Sequence, residues 1–268
     1  MWSKADPSGP TGRTRIGPSS LADGTDTQWM SGRMTLDYTR PVTPPGTRPR
    51  GWFITIEGPE GSGKTTQAEA LVDHLRAAGR DVLLTREPGG TWLGERIREV
   101  LLARTGSTAP TDSLTDALLF SAARRQLVTE VIGPQLGAGR TVICARFADS
   151  TLAYQGFGAG VDLDRLRQLE TAATGGLRPD LTILLDVPVE TGLARKAPGD
   201  VTRFEAEFDL DFHRRVRGGF LALASAEPDR FVVVDATRPV EDVTIGVAAA
   251  ADRLAAAGEP NGRPTRNP

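Results

Sequence analysis

One α/β domain on a five-stranded parallel sheet, flanked by helices on both faces, is the fold class this sequence predicts. Three observations point to it. Short apolar runs alternate with longer amphipathic segments, and parallel strands need crossover connections that are usually helical. A glycine-rich stretch, Gly58-Pro59-Glu60-Gly61-Ser62-Gly63-Lys64-Thr65, lies between the first run and the first helical segment. The 268 residues, 39% hydrophobic and 25% charged, suit one medium-sized globular domain with tails.

Taken in order, the runs are WFITIE (52–57), DVLLTR (81–86), TVICA (141–145), LTILLDV (181–187) and RFVVVDA (230–236). Each is short and nearly continuous in apolar residues, as strands buried on both faces are. Amphipathic spacing predicts helices over 64–79, 91–103, 113–137, 162–174, 188–196, 205–225 and 240–256. Together they form one domain over 51–257. Residues 1–50 are rich in Pro, Gly, Ser, Thr and Arg without a sustained period and read as a disordered extension, with Met34 a second candidate for the translation start; 258–268 read as a disordered tail.

Composition narrows the function. Lys and Arg number 32 against 34 Asp and Glu, so no global charge argues for nucleic acid or a membrane surface as partner. One cysteine, Cys144, excludes an intrachain disulfide framework, and two histidines leave little for a His/Cys metal centre. No apolar run reaches the ~20 residues of a membrane span, and the N-terminus lacks a secretory pattern. The expectation is a soluble cytoplasmic protein.

The glycine-rich stretch is a full match to G-x-x-x-x-G-K-[ST], in the strand-to-helix setting the motif requires. Glycines let the backbone curl so that its N–H groups face phosphates, and the helix N-terminus favours anionic charge. Lys64 can reach the β- and γ-phosphates and Thr65 can ligate Mg²⁺, with Thr66 beside it. ATP or GTP with Mg²⁺ is therefore the expected ligand. The base-reading N-K-x-D of GTPases is absent, as is the strand ending in an acidic pair that ATPase motors carry, which favours a small kinase.

FITIEGPEGSGKTTQ, TREPGGT, LLFSAARRQ, RFADSTLAYQGFG and DATRPVEDV occur in an order and spacing similar to those of thymidylate kinases, over nearly all of 51–255. The resemblance implies the P-loop nucleoside-monophosphate-kinase fold, ATP as donor, Mg²⁺, dTMP as acceptor and a homodimer formed through helices on one side of the sheet. It implies that Phe120 and Arg124, four apart on one helix face, stack on the pyrimidine and hydrogen-bond its carbonyl edge. Arg146 matches an arginine that binds the monophosphate and helps hold the donor. Ser150 and Thr151 match small polar residues facing the thymine, and Tyr154 a tyrosine packed where a 2′-hydroxyl would clash. Gln155 completes that motif, and Arg98 matches the acceptor phosphate clamp. GLARKAPGDVTRFEAEFD resembles the lid over ATP, about 195–204, with Arg195, Lys196 and Arg203 as its cations. Because the phosphate loop carries Glu60 and no basic residue before Lys64, the sequence resembles the bacterial class whose lid supplies the positive charge.

The sequence departs from the family pattern at Thr202, where lids often place an aspartate, and at Ala145, where an acidic residue typically precedes the arginine and positions Mg²⁺ or its water. Three consequences of Ala145 stand open. Glu57, Glu60 and Glu205, at acidic positions near the phosphate channel, can compensate, with Glu60 and Glu205 joining Thr65 at the metal; the enzyme can be slow; or the chain can be a nucleotide-binding relative without catalysis. A deoxynucleoside kinase, whose strand-one glutamate acts as base, is a further alternative that Glu57 keeps open, whereas the FSAAR and AYQG motifs argue for a monophosphate acceptor.

Overall fold

A computed structural model describes residues 50–103, 111–197 and 202–258, apart from the side chain of Glu205. The expected extension before Arg50, Met34, the centre of the lid and the tail after Gly258 lie outside the described residues.

The five apolar runs form the strands β1 (Phe53–Glu57), β2 (Val82–Arg86), β3 (Thr141–Ala145), β4 (Leu181–Asp186) and β5 (Phe231–Asp235). All pair in parallel, in the order β2-β3-β1-β4-β5. β1 is buried along its whole length, and β3 and β4 are buried except at their last residues. β5, at the sheet edge, alternates between covered and exposed positions, as a strand with one open side does.

The strand pleat divides the core. Ile54 and Ile56 of β1 and Leu181, Ile183 and Leu185 of β4 face a layer made by helix α1 (Lys64–Ala77) and the C-terminal helix Val240–Ala256. Leu184 faces the second layer with Ala117, Leu166, Phe212, Val216 and Phe220. Helices α2 (Trp92–Leu102), α3 (Ser113–Leu127), α6 (Leu163–Thr174) and α9 (Leu210–Ala226) build that side; the short helices are α4 (Gly133–Gly137), α5 (Ala148–Thr151), α7 (Val189–Ala194) and α8 (Arg203–Glu207), and Val240–Ala256 of the first layer is α10. Four start on side-chain caps: Thr91 accepts from Gly94 N, Asp112 from Leu114 N and Thr115 N, Asp162 from Arg165 N, and Asp209 from Phe212 N.

Three stretches depart from the periodicity. The segment expected as one helix over 113–137 passes through a π-helical turn, Val128–Ile132. The segment expected over 205–225 is two helices, because Asp209 takes an extended backbone and its side chain caps α9, separating it from α8. Residues 148–158 are helical, α5 running into a π-helical turn Leu152–Gly158, although their mixed pattern predicts no helix. Such turns often mark functional sites.

The phosphate loop is seated on α7 through two glycines. A Cβ on Gly61 would lie 1.8 Å from Gly192 O, and a Cβ on Gly192 would lie 2.2 Å from Glu60 O. Only bare backbones approach so closely. Gly192→Ala is therefore expected to lower unfolding stability by about 1–3 kcal/mol, the range for overpacking, and to raise KM for the loop's nucleotide. Urea denaturation and steady-state kinetics check this, and a variant indistinguishable from wild type in both contradicts the seating.

Candidate active site

The C-terminal ends of β1 and β3 lie side by side, with Ile56 paired to Ala145, at the edge of a parallel sheet where ligands bind. Gly58, Gly61 and Gly63 all have positive φ, which lets the loop between β1 and α1 close on itself. Lys64 Nζ donates to Gly58 O (3.0 Å), Pro59 O (2.7 Å) and Ser62 Oγ (3.2 Å), so the ammonium sits inside the curl. Burial and the neighbouring Arg146 guanidinium pull Lys64 down to about 7, against the opposing pull of Glu60 and Glu57. Thr65 and Thr66 stand exposed on the first turn of α1.

Arg146 is the one non-glycine residue with positive φ among the described residues, at 67°. For a bulky residue this costs of order 1–3 kcal/mol and persists where surroundings over-determine it. They do so here. Nη2 donates to Glu60 Oε1 (2.8 Å) and Tyr154 OH (3.3 Å), and Nη1 to Ser150 Oγ (3.2 Å), while the guanidinium carbon lies 5.1 Å from the Tyr154 ring centre. Tyr154 OH in turn donates to Glu60 Oε1 at 2.8 Å. Burial works to raise the Glu60 carboxyl, but Arg146, Lys64 and Lys196 outweigh it and hold it ionised well below the usual range.

Glu57 is fully buried and accepts from Phe147 N (2.7 Å) and Ser150 Oγ (2.6 Å), tying β1 to the first turn of the rim. Burial and nearby Asp149 push its carboxyl up to about 7. Ala145 contributes backbone only: its carbonyl accepts from Glu87 N at 3.0 Å.

On the other side of the rim, Arg124 is buried on α3. Its Nε donates to Glu87 Oε2 (2.8 Å), and its Nη2 donates to Phe147 O and Thr151 Oγ1 (both 3.1 Å). Phe120, one turn earlier, is half-buried with its ring 6.1 Å from that of Phe204. Tyr154 packs edge-on against Phe204, Phe212 and Phe220, and Gln155 beside it is buried. Arg98 Nη1 donates to Pro88 O at 3.1 Å.

The three lid cations go to different places. Lys196 Nζ lies 3.6 Å from Glu60 Oε2, beside the phosphate loop. Arg195 donates to Ala236 O (2.9 Å), just beyond β5. Arg203 is buried, donates from Nε to Leu101 O (2.6 Å) and lies 2.7 Å from Asp116 Oδ1 on α3. Thr202 Oγ1 accepts from Phe204 N at the start of α8. The Glu205 side chain, expected at the metal, lies outside the described residues.

Sequence reasoning gave no role to Glu87, Asp116 or Asp149. Asp149 forms a buried two-bond pair with Arg230, 2.7 and 2.9 Å, bracing the rim against β5's entry. The REPGG and FADS motifs carried a signal for Glu87 and Asp149, and nothing in the sequence marked Asp116. Among the described residues no three acidic, histidine or cysteine side chains cluster to cage a metal. The donor set of the exposed Thr65 hydroxyl and the ionised Glu60 fits an ion that arrives on substrate phosphates, the usual habit of Mg²⁺.

A phosphate loop at the ligand edge of a parallel sheet, joined through Arg146 to the rim residues Ser150 and Tyr154, defines a P-loop phosphotransferase of the nucleotide kinase class. Within that class the chain belongs to the thymidylate kinase family, whose model, described as thymidylate kinase, matches residues 56–245. The thymidylate kinase of Desulfovibrio desulfuricans is 54% identical over 202 residues, covering 72% of this chain and 91% of that protein. That of Deinococcus radiodurans is 55% identical over 202 residues, covering 75% and 96%. The crystal structure of thymidylate kinase from Ehrlichia chaffeensis superposes with a TM-score of 0.60 at 36% identity, covering 76% of this chain and 99% of that one.

The Lys64 environment has a measurable consequence. With its pKa near 7 in the free protein, the amine is largely neutral at pH 8, and polyphosphate favours the charged form. Nucleotide binding at pH 8 is expected to take up a proton, approaching one per site and shrinking towards pH 6. Calorimetry in buffers of different ionisation enthalpy measures it; uptake that is absent at pH 8 contradicts the buried-lysine assignment.

Proposed function

We propose that this chain transfers the γ-phosphoryl group of ATP to dTMP, giving dTDP and ADP. The observation that carries the proposal is Arg146, whose guanidinium contacts Glu60 of the phosphate loop and Ser150 and Tyr154 of the acceptor rim at once. A bond forms between a dTMP phosphate oxygen and the γ-phosphorus, the bond to the β-phosphate oxygen breaks, and ADP leaves. The acceptor oxygen is already anionic, so no general base is needed. Positioning and positive charge supply the catalysis: Lys64 and the loop N–H groups on the donor, Arg146 between donor and acceptor, Arg98 on the acceptor phosphate, and Phe120, Arg124, Thr151 and Gln155 around the base. Thr65, with Glu60 nearby, would hold Mg²⁺, which neutralises charge on the donor phosphates when bound. Glu57 and Glu60 supply the acidic surroundings that Ala145 does not.

Pairing of two copies across α2 and α3 fits the same reading, because Trp92, Val100 and Leu118 expose apolar surface on these adjoining helices. No described helix is long and apolar enough to cross a membrane.

A second reading, phosphorylation of the deoxynucleoside itself, draws on Glu57, whose pKa of about 7 suits a general base. Coupled ADP release with dTMP, dUMP and thymidine as acceptors separates the two. The proposal expects turnover of dTMP and none of thymidine, and a change in kcat of less than about tenfold in Ala145→Asp, against the ~10²–10³-fold that a missing preorganised partner costs. Thymidine turnover exceeding that of dTMP contradicts it, as does a wild type that binds dTMP silently and gains activity only as Ala145→Asp.

A further inference from the structure

We propose that Glu87 is a positioning residue for the acceptor site: it holds the Arg124 guanidinium so that the Nη1 edge is left for the nucleobase, and its loop sets Arg98 at the same time. The inference rests on the dTMP kinase reading and deepens it. Arg124 is 1% exposed and Glu87 5%, so this is an ion pair out of water. Glu87 Oε2 takes the Nε–H at 2.8 Å and lies 2.8 Å from Nη2, while Phe147 O and Thr151 Oγ1 take Nη2. Among the described residues Nη1 has no hydrogen-bond partner, nor do Glu87 Oε1 and the hydroxyl of Ser121, three residues before Arg124 on α3.

Buried polar atoms are nearly always satisfied, and a buried ion pair stabilises a fold little compared with apolar packing. Here one guanidinium edge is left unmet beside the rim, where a ligand carbonyl can satisfy it. An edge that can only donate takes a carbonyl oxygen and is mismatched to an amino group. The orientation of that edge is fixed by Glu87, and Glu87 is fixed by the sheet, since its N–H donates to Ala145 O at the end of β3. The next residue completes the device: Pro88 O accepts from Arg98 Nη1, while Glu95 braces the loop through Gly90 N (2.8 Å) and Arg86 Nη1 (3.0 Å). Two neighbouring residues of one loop thus hold both arginines, Glu87 the one for the base and Pro88 the one for the phosphate.

Glu87→Gln keeps a hydrogen-bond acceptor and removes the charge, and Glu87→Asp keeps the charge at shorter reach. Each is assayed with dTMP and dCMP over a range of ATP, alone and combined with Arg124→Lys, beside the thermal midpoint. Glu87→Gln is expected to raise KM for dTMP roughly tenfold or more and to cut the dTMP-over-dCMP preference in kcat/KM by a similar factor, with KM for ATP within about twofold. Glu87→Asp should recover part of both effects, and either substitution should add little once Arg124 is lysine, as for residues that act as a unit. Should Glu87→Gln fail to fold, Glu87→Asp carries the test through the same preference ratio. An unchanged preference, or a KM for ATP that rises in parallel, overturns the inference whatever happens to the thermal midpoint. Wild type with no dTMP turnover defeats the functional reading and this inference with it; active wild type with an indifferent Glu87 defeats the inference alone.

Discussion

The ion pair between Arg146 and Glu60, closed by the Tyr154 hydroxyl, is the contact on which the site depends. Glu60 belongs to the phosphate loop and Arg146 follows the end of β3, so the pair staples the loop to the rim after β3 across the sheet edge. It also accounts for the backbone of Arg146. A left-handed arginine is uphill in isolation, and the bonds to Glu60, Ser150 and Tyr154 keep it there. Loss of Glu60 would remove the one charged partner among these three and weaken the hold on the conformation.

Around this pair the charges balance locally. Lys64, Arg146 and Lys196 converge on Glu60, and Glu57 stands three residues before it at the end of β1. The consequences run in opposite directions: Glu60 stays ionised, Glu57 is pushed towards neutrality by burial and Asp149, and Lys64 is pushed towards its uncharged form. Polyphosphate entering such a site favours the charged form of Lys64 and the neutral form of Glu57. An alanine at 145 removes a carboxylate from this balance without removing the backbone carbonyl that anchors Glu87. The position therefore keeps its backbone bond to Glu87 while supplying no carboxylate beside the phosphate loop.

Much of the fold was legible because it follows from apolar runs that must be buried on both faces; all five strands lie within a residue of those runs. The π-helical turn over Leu152–Gly158 was not, since its residues face both core and rim and obey neither period. The phosphate loop was legible because its glycines and Lys64 are contiguous. The partners of arginines were not. Arg124 looked like half of an aromatic pair with Phe120, whereas its buried charge is met by Glu87, 37 positions earlier. Arg203 is similar: its segment suggests a donor contact, and its described partners are Leu101 and Asp116. Spacing along a helix gives which side chains share a face, but a long charged side chain finds its counter-ion through the tertiary fold.

If the Arg146–Glu60 pair makes donor and acceptor sites one unit, their ligands must feel each other through it. The direct measurement is the affinity for dTMP, by calorimetry, with and without saturating ADP, in wild type and in Glu60→Gln. The account predicts that ADP changes dTMP affinity in wild type by about fivefold or more, the scale of ordinary coupling between sites, and that the change collapses in Glu60→Gln. The same coupling in both proteins, or none in wild type, would contradict it.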